Sequence, residues 1–214
     1  MWGKEVEVFR VIRAYAQFLT IKVFHGAILA GRLSARVVVV VSSKSEAYGL
    51  VRARQHGLDA VAVPRRDYSD LQAFNDAMNA VLARYPIDLV ILAGFLSLYQ
   101  PPPALVGRVM NIHPALLPAF GGRGLYGDRV HRAVLESGVK LSGCTVHFAD
   151  ACYDHGPIIL QAAVPVYDDD TVESLAARVF TAECELYPQA IQLYAEDRLR
   201  IVGRRVCILP AAPS

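Results

Sequence analysis

The sequence predicts an α/β fold: a doubly wound, mostly parallel sheet with antiparallel strands toward the carboxyl terminus. Three observations carry that expectation. From Arg36 onward, short apolar runs alternate with helical patterns. The first run, Arg36–Val41, holds five consecutive valines before Ser42 and Ser43. An apolar run without polar alternation marks a strand covered on both faces. Near the carboxyl end, Leu141–Ala149 and Ile158–Val166 follow one another with no helical pattern between them, so they are expected to pair with each other. With 214 residues, 54% of them hydrophobic and 20% charged, the chain can bury a substantial core. It shows no internal repeat or linker, so residues 1–214 read as one domain.

The elements follow in order. Val6–Ile12 can supply a central strand, and Thr20–Leu29 the helix after it. Ser45 can cap a helix whose apolar positions Ala47, Leu50 and Val51 precede a stop at Gly57. Asp59–Val63 gives a short strand. Leu71, Phe74, Met78, Val81 and Leu82 recur at helical steps until Pro86 ends the pattern. Asp88–Ala93 is the next buried strand. A break at Pro101-Pro102-Pro103 precedes an apolar run, Val106–Ile112, which reads as a further buried strand. After a loop from Pro114 to Gly127, Val130, Val134 and Leu135 define a short helix closed by Gly138. Asp170 with Glu173 has the spacing of a capping box. It would open a long helix with Leu175, Val179 and Leu186 on one face and a kink at Pro188. Ile201–Leu209 makes a last edge strand or a pair of short ones.

Composition narrows the function classes. A net charge of +2 is too small to argue for nucleic acid. The local basic groups Arg52 with Arg54, Arg65 with Arg66, and Arg198–Arg205 read as solvated faces. Cys144, Cys152, Cys184 and Cys207 contain no C-x-x-C pair, so free thiols in a reducing compartment are expected and no metal. No charge-free apolar run reaches about 18 residues. Arg10, Arg13 and Lys22 interrupt the first 30 residues, against a signal peptide. The expectation is a cytoplasmic protein that handles small molecules, with no nucleic-acid or membrane partner; oligomeric state stays open.

Two stretches carry the chemistry. Asn111-Ile112-His113-Pro114 places an amide and an imidazole two residues apart at a strand's carboxyl end, where open parallel sheets bind ligands. Asp154-His155-Gly156-Pro157 brings an acid to the start of another strand through a Gly-Pro turn. An amide donor, an imidazole and a carboxylate can protonate, orient and hold an oxyanion, which suits acyl-type transfer. Gly122-Arg123-Gly124-Leu125-Tyr126-Gly127 matches G-x-G-x-x-G, but Pro114 and Pro118 precede it where a dinucleotide site needs a strand. It reads as a mobile substrate loop. His147 either supports the site from an adjacent strand or is structural. His25, His56 and His131 read as surface or helix residues, and His155 points away from Asp154 if the segment is extended. Cys152, two residues before Asp154, lacks a motif that would activate it as a nucleophile.

Asn-Ile-His-Pro-Ala-Leu-Leu-Pro-Ala-Phe at 111–120 closely resembles the corresponding stretch of glycinamide ribonucleotide formyltransferases. Ser42-Ser43-Lys44-Ser45-Glu46-Ala47-Tyr48-Gly49-Leu50, Leu92-Ala93-Gly94-Phe95, His147-Phe148, Asp154-His155-Gly156-Pro157 and Gln161 with Val164-Pro165-Val166 agree in order and spacing. The likeness covers roughly residues 27–209. It implies transfer of a formyl group from 10-formyltetrahydrofolate, a co-substrate, to the amine of glycinamide ribonucleotide in purine synthesis. By the same resemblance Asn111, His113 and Asp154 are the catalytic trio. Phe95, Leu96, Ser97, Leu98, Tyr99, Asn111 and Asp150 would face the folate, and Pro114 and Glu183 the nucleotide. Leu117–Pro118 would be cis. The chain departs from the family at 1–26, where Tyr15-Ala16-Gln17-Phe18-Leu19-Thr20 stands in place of the glycine-rich phosphate turn. Either an altered start or reading frame, or a divergent protein, accounts for that segment. Ser97 and Leu71 fall where the family usually carries basic residues for the folate, and Arg65 or Arg66 can substitute. The rival readings are a formyltetrahydrofolate hydrolase-like enzyme and a catalytically silent folate-binding paralogue. Methionyl-tRNA formyltransferase shares the fold but carries an additional tRNA-binding domain.

Overall fold

The computed structural model describes residues 6–12 and 21–211. The expected phosphate turn at 15–20 lies outside them. The chain divides into two compact units, Met1–Met110 and Asn111–Ser214, with the boundary inside a strand.

The first unit contains β1 (Val6–Ile12), α1 (Ile21–Leu29), β2 (Ala35–Ser42), α2 (Tyr48–Gln55), β3 (Asp59–Ala62), α3 (Leu71–Leu82) and β4 (Leu89–Ala93), and it enters β5 (Val109–His113). Its strand order is β3-β2-β1-β4-β5, with β1 parallel to β2 and β4, and β2 parallel to β3. The chain builds outward from β1 in one direction and then restarts at β4 on its other side. That reversal is the switch point at which such sheets bind ligands, and the segment from Gly94 leaves β4 there. The valine run behaves as expected: Val39, Val40 and Val41 are fully buried. β4 is buried along its whole length.

Local signals were displaced in two places, and one cap was not foreseen. Ser45 does not cap α2; Ala47 precedes that helix without a side-chain cap and packs with Leu50, Ala53 and Val40, while Val51 is exposed. Asp70 caps α3 by accepting the Ala73 amide hydrogen at 2.8 Å. The strand expected from Val106 starts only at Val109, because Pro103–Leu105 forms a 3-10 turn that leaves Val106 68% exposed.

The second unit continues β5 and adds α4 (Asp128–Ser137), β6 (Leu141–Phe148), β7 (Ile158–Pro165), α5 (Val172–Ala195), β8 (Leu199–Val202) and β9 (Arg205–Ile208). Its strand order is β5-β6-β7-β9-β8. β6 and β7 are antiparallel, as are β8 and β9, so the terminal segment is a pair of short strands. Leu175, Val179 and Leu186 share the buried side of α5, as their spacing predicts. Pro188 sits inside that helix, which runs on to Ala195. The capping box is one residue later than expected. Thr171 and Ser174 exchange the two capping bonds. Asp170 instead takes both Arg178 guanidinium nitrogens at 2.7 and 2.8 Å. A bidentate arginine is a stronger partner for a carboxylate than a backbone amide.

Candidate active site

In the second unit, β5 places the Asn111 and His113 side chains on one face because alternate strand residues point the same way. A third group reaches them from the turn between β6 and β7. Asp154 Oδ2 lies 3.4 Å from His113 Nδ1, and its Oδ1 accepts a long bond from Asn111 Nδ2 at 3.5 Å. The structure therefore brings together the three residues singled out by sequence.

Each partner is held by a further contact. His113 is 4% exposed, and its Nε2 faces the Phe120 carbonyl oxygen at 2.8 Å. Both ring nitrogens thus face oxygens that only accept, an arrangement the doubly protonated ring satisfies. Asp154 Oδ2 also accepts the Gly122 amide hydrogen at 2.9 Å. Burial pushes the Asp154 carboxyl up, but the His113 ring beside it and the Gly122 amide outweigh it and hold the group below the ordinary carboxylate range.

His147, on β6 beside β5, is buried and fixes the amide. Its Nδ1 donates to the Phe148 carbonyl at 2.9 Å, which leaves Nε2 as an acceptor for Asn111 Nδ2 at 3.1 Å. Burial lowers the His147 pKa, in keeping with a neutral ring. His147 thus touches Asn111 directly. His131 is a helix residue, on α4, and is buried there. His155 turns away from Asp154 to Asp150 and Arg204.

Local sequence explains the turn geometry. A side chain at Gly156 would overlap the Phe148 carbonyl oxygen, so only glycine lets the loop return across β6. There the Phe148 amide donates to the Pro157 carbonyl at 2.9 Å. Asp154 and Phe120 both have left-handed backbones, with φ of 53° and 54°. Aspartate tolerates that region, whereas phenylalanine is strained there. The Leu117–Pro118 peptide is cis. Beneath this loop, buried Thr145 accepts from the Leu117 amide at 3.0 Å and from Gln161 Nε2 at 2.9 Å, and donates to the Ala115 carbonyl at 2.7 Å.

Pro114 follows His113 directly and is half-buried. Glu183 lies on α5, half-buried, its carboxyl pushed up to about 8 by burial. Asp150 is partly exposed and accepts from the Cys152 amide and from His155. In the first unit, the expected folate segment separates into two kinds of residue. Phe95 and Tyr99 are buried, Phe95 stacked on Phe74 and Tyr99 donating its hydroxyl to Asn79 at 2.7 Å. Leu96, Ser97 and Leu98 are half-buried. Buried Asn75 clamps this segment, donating to the Leu98 carbonyl at 3.2 Å and accepting the Gln100 amide hydrogen at 2.8 Å. The Phe120 carbonyl, the Gly122 amide and the Asn75 clamp escaped sequence reasoning. Only the Gly121-Gly122 pair hinted at backbone close to a site.

Comparison with known proteins agrees with this geometry. Residues 10–191 match the family described as formyl transferase. The chain is 42% identical over 174 residues to a chloroplastic phosphoribosylglycinamide formyltransferase of Arabidopsis thaliana, covering 79% of this chain and 59% of the relative. It thus spans less than two thirds of that relative's length. It is 35% identical to the phosphoribosylglycinamide formyltransferase of Haemophilus influenzae, covering 80% of each chain. The crystal structure of glycinamide ribonucleotide transformylase 1 from Symbiobacterium toebii superposes with a TM-score of 0.88 at 44% identity, covering 98% of this chain and 96% of that one.

Proposed function

We propose that this chain, which belongs to the formyl transferase family, moves the formyl group of 10-formyltetrahydrofolate onto the amine of glycinamide ribonucleotide in purine synthesis. The observation that carries the proposal is the convergence of Asn111, His113 and Asp154 on one face of the β5 end. The names borne by full-length relatives support the choice of substrates.

The chemistry follows from the contacts. The neutral amine attacks the formyl carbon, and the carbonyl π electrons move to its oxygen. Asn111 holds its amide with the 3.1 Å bond to His147, while the 3.5 Å bond to Asp154 is the weaker of the two. The hydrogen in that weaker bond turns to the oxyanion. His113 donates the second hydrogen bond, exchanging the Phe120 carbonyl for the oxyanion. Asp154 keeps the ring charged and oriented. Collapse of the intermediate breaks the bond to N10, and the proton lost by the amine reaches N10 through His113 or a water held by Asp154. Removing one oxyanion donor typically costs about 10²- to 10³-fold in rate.

The remaining assignments belong to the same proposal. Leu96, Ser97 and Leu98, with Asp150, contact the folate, and Phe95 and Tyr99 shape its wall from the core. Pro114 and Glu183 contact the nucleotide, and His147 is a positioning residue. Residues 1–214 act as one domain, supported by a family match that runs unbroken across both units. Four free cysteines support a reducing, cytoplasmic setting with small-molecule partners, and no helix among the described residues is long and apolar enough to cross a membrane. An assay of the purified chain with 10-formyltetrahydrofolate, with and without glycinamide ribonucleotide, tests the reading. Formyl glycinamide ribonucleotide formed in step with tetrahydrofolate supports it. Formate release independent of the nucleotide would make the chain a hydrolase, and folate binding without turnover a silent paralogue.

A further inference from the structure

We propose that Asp150, Cys152 and His155, on the turn that also carries Asp154, form a zinc-binding site for which Arg204 competes. One ligand atom from each of the three lies within 4.8 Å of the others. Tetrahedral zinc with bonds of about 2.0–2.3 Å holds its ligands roughly 3.3–3.8 Å apart, so side-chain adjustments on the order of 1 Å close the site. Those adjustments are open to it, because Cys152 is exposed and the His155 and Asp150 side chains are 53% and 36% exposed. Thiolate and carboxylate together match the ion's double charge, and a thiolate with an imidazole favours zinc over magnesium or calcium. The thiol proton leaves to solvent on binding, and water completes the coordination.

Arg204 gives the site its distinguishing behaviour. Its Nη1 donates to His155 Nε2 at 2.6 Å and its Nη2 to the His155 carbonyl at 3.0 Å, while His155 Nδ1 donates to Asp150 Oδ2 at 2.8 Å. Both ring nitrogens are therefore engaged. If the ion takes Nε2, it displaces Arg204 directly. If it takes Nδ1, the ring proton moves to Nε2 and two donors then face each other. Either way the guanidinium leaves, so removing it strengthens zinc binding. Removing a ligand weakens it.

The consequence for catalysis rests on the proposed formyl transfer. Zinc engages the Asp150 carboxylate offered to the folate, so the ion competes with the formyl donor and not with the nucleotide. The test titrates full-length, metal-stripped protein with Zn²⁺ against a chromophoric chelator, and repeats the titration with Co²⁺. The expected result is one ion per chain, with a thiolate-to-cobalt charge-transfer band. Cys152→Ser should abolish the band and weaken zinc at least tenfold. Arg204→Ala should tighten zinc severalfold, and Cys207→Ser should leave it unchanged. Zn²⁺ should raise KM for the formyl donor alone, reversibly with chelator. Equal zinc affinity in Cys152→Ser and wild type, a missing thiolate band, or weaker binding in Arg204→Ala overturns the proposal. A wild-type chain that binds zinc in this way yet transfers no formyl group refutes the proposed function and leaves the metal site standing.

Discussion

Replacing Asp154 with asparagine removes a charge while keeping its shape, and the surrounding contacts say which way the new amide turns. The oxygen must face the Gly122 amide and His113 Nδ1, both donors. The new NH₂ then stands 3.5 Å from the Asn111 Nδ2 donor, so that long bond is lost as well, while His147 Nε2 lies 3.8 Å from the present Oδ1. The main loss is the ion pair with His113, with the weaker bond from Asn111 lost beside it. At 3.4 Å and an effective dielectric of about 20, that pair is worth about 5 kcal/mol. The asparagine dipole recovers part of it, so the transition state should lose about 3–5 kcal/mol. That corresponds to a kcat lower by about 10²- to 10⁴-fold. Single-turnover formyl transfer under saturating substrates measures this directly. KM for the nucleotide should stay within about threefold of wild type. A kcat within threefold of wild type in folded Asp154→Asn protein would refute the role given to the carboxylate.

Three further outcomes follow from the same contacts. Thr145→Val strips the Leu117 amide and the Ala115 carbonyl of their buried partner; urea unfolding should show a loss of about 2–4 kcal/mol, with kcat falling as the 115–122 loop loosens. Gly156→Ala drives a methyl into the Phe148 carbonyl, so the Asp154 turn must shift; a stability loss of about 1–3 kcal/mol and at least a tenfold drop in kcat are expected from thermal unfolding and transfer assays. The Glu183 carboxyl, raised from 4.5 to about 8, stays protonated in the folded state while the unfolded chain ionises, so its contribution is lost as pH rises through that window. Glu183→Gln should therefore be more stable than wild type at pH 7 by about 1–3 kcal/mol and equal to it below pH 4.5 in urea titrations, with a higher KM for the nucleotide.

What could be read from the chain divides along a physical line. Runs whose burial is uniform, such as Val39–Val41 and Leu89–Ala93, announce their strands because no partner choice is involved. Asn111 and His113 were legible because strand periodicity alone puts them on one face. Boundaries failed where two local signals competed and a distant group decided. Asp170 and Thr171 are both good cap residues, and Arg178, eight positions away, claims the aspartate. Val106 continues an apolar run, yet the proline-built 3-10 turn before it holds it in solvent. Asp154 was found through its motif, since a left-handed residue in a turn has no periodicity to betray where it points. The Phe120 carbonyl carries no residue-type signal, and the Gly122 amide only the hint of a glycine pair, because backbone groups are the same everywhere.

A crystal structure of the full chain with glycinamide ribonucleotide and a stable formyl-donor analogue tests the central claim most directly. The formyl oxygen is expected about 2.7–3.1 Å from both Asn111 Nδ2 and a His113 ring nitrogen, with Asp154 still against the ring. A donor bound with its reacting carbon out of reach of Asn111 and His113, in a crystal that turns over, would contradict it.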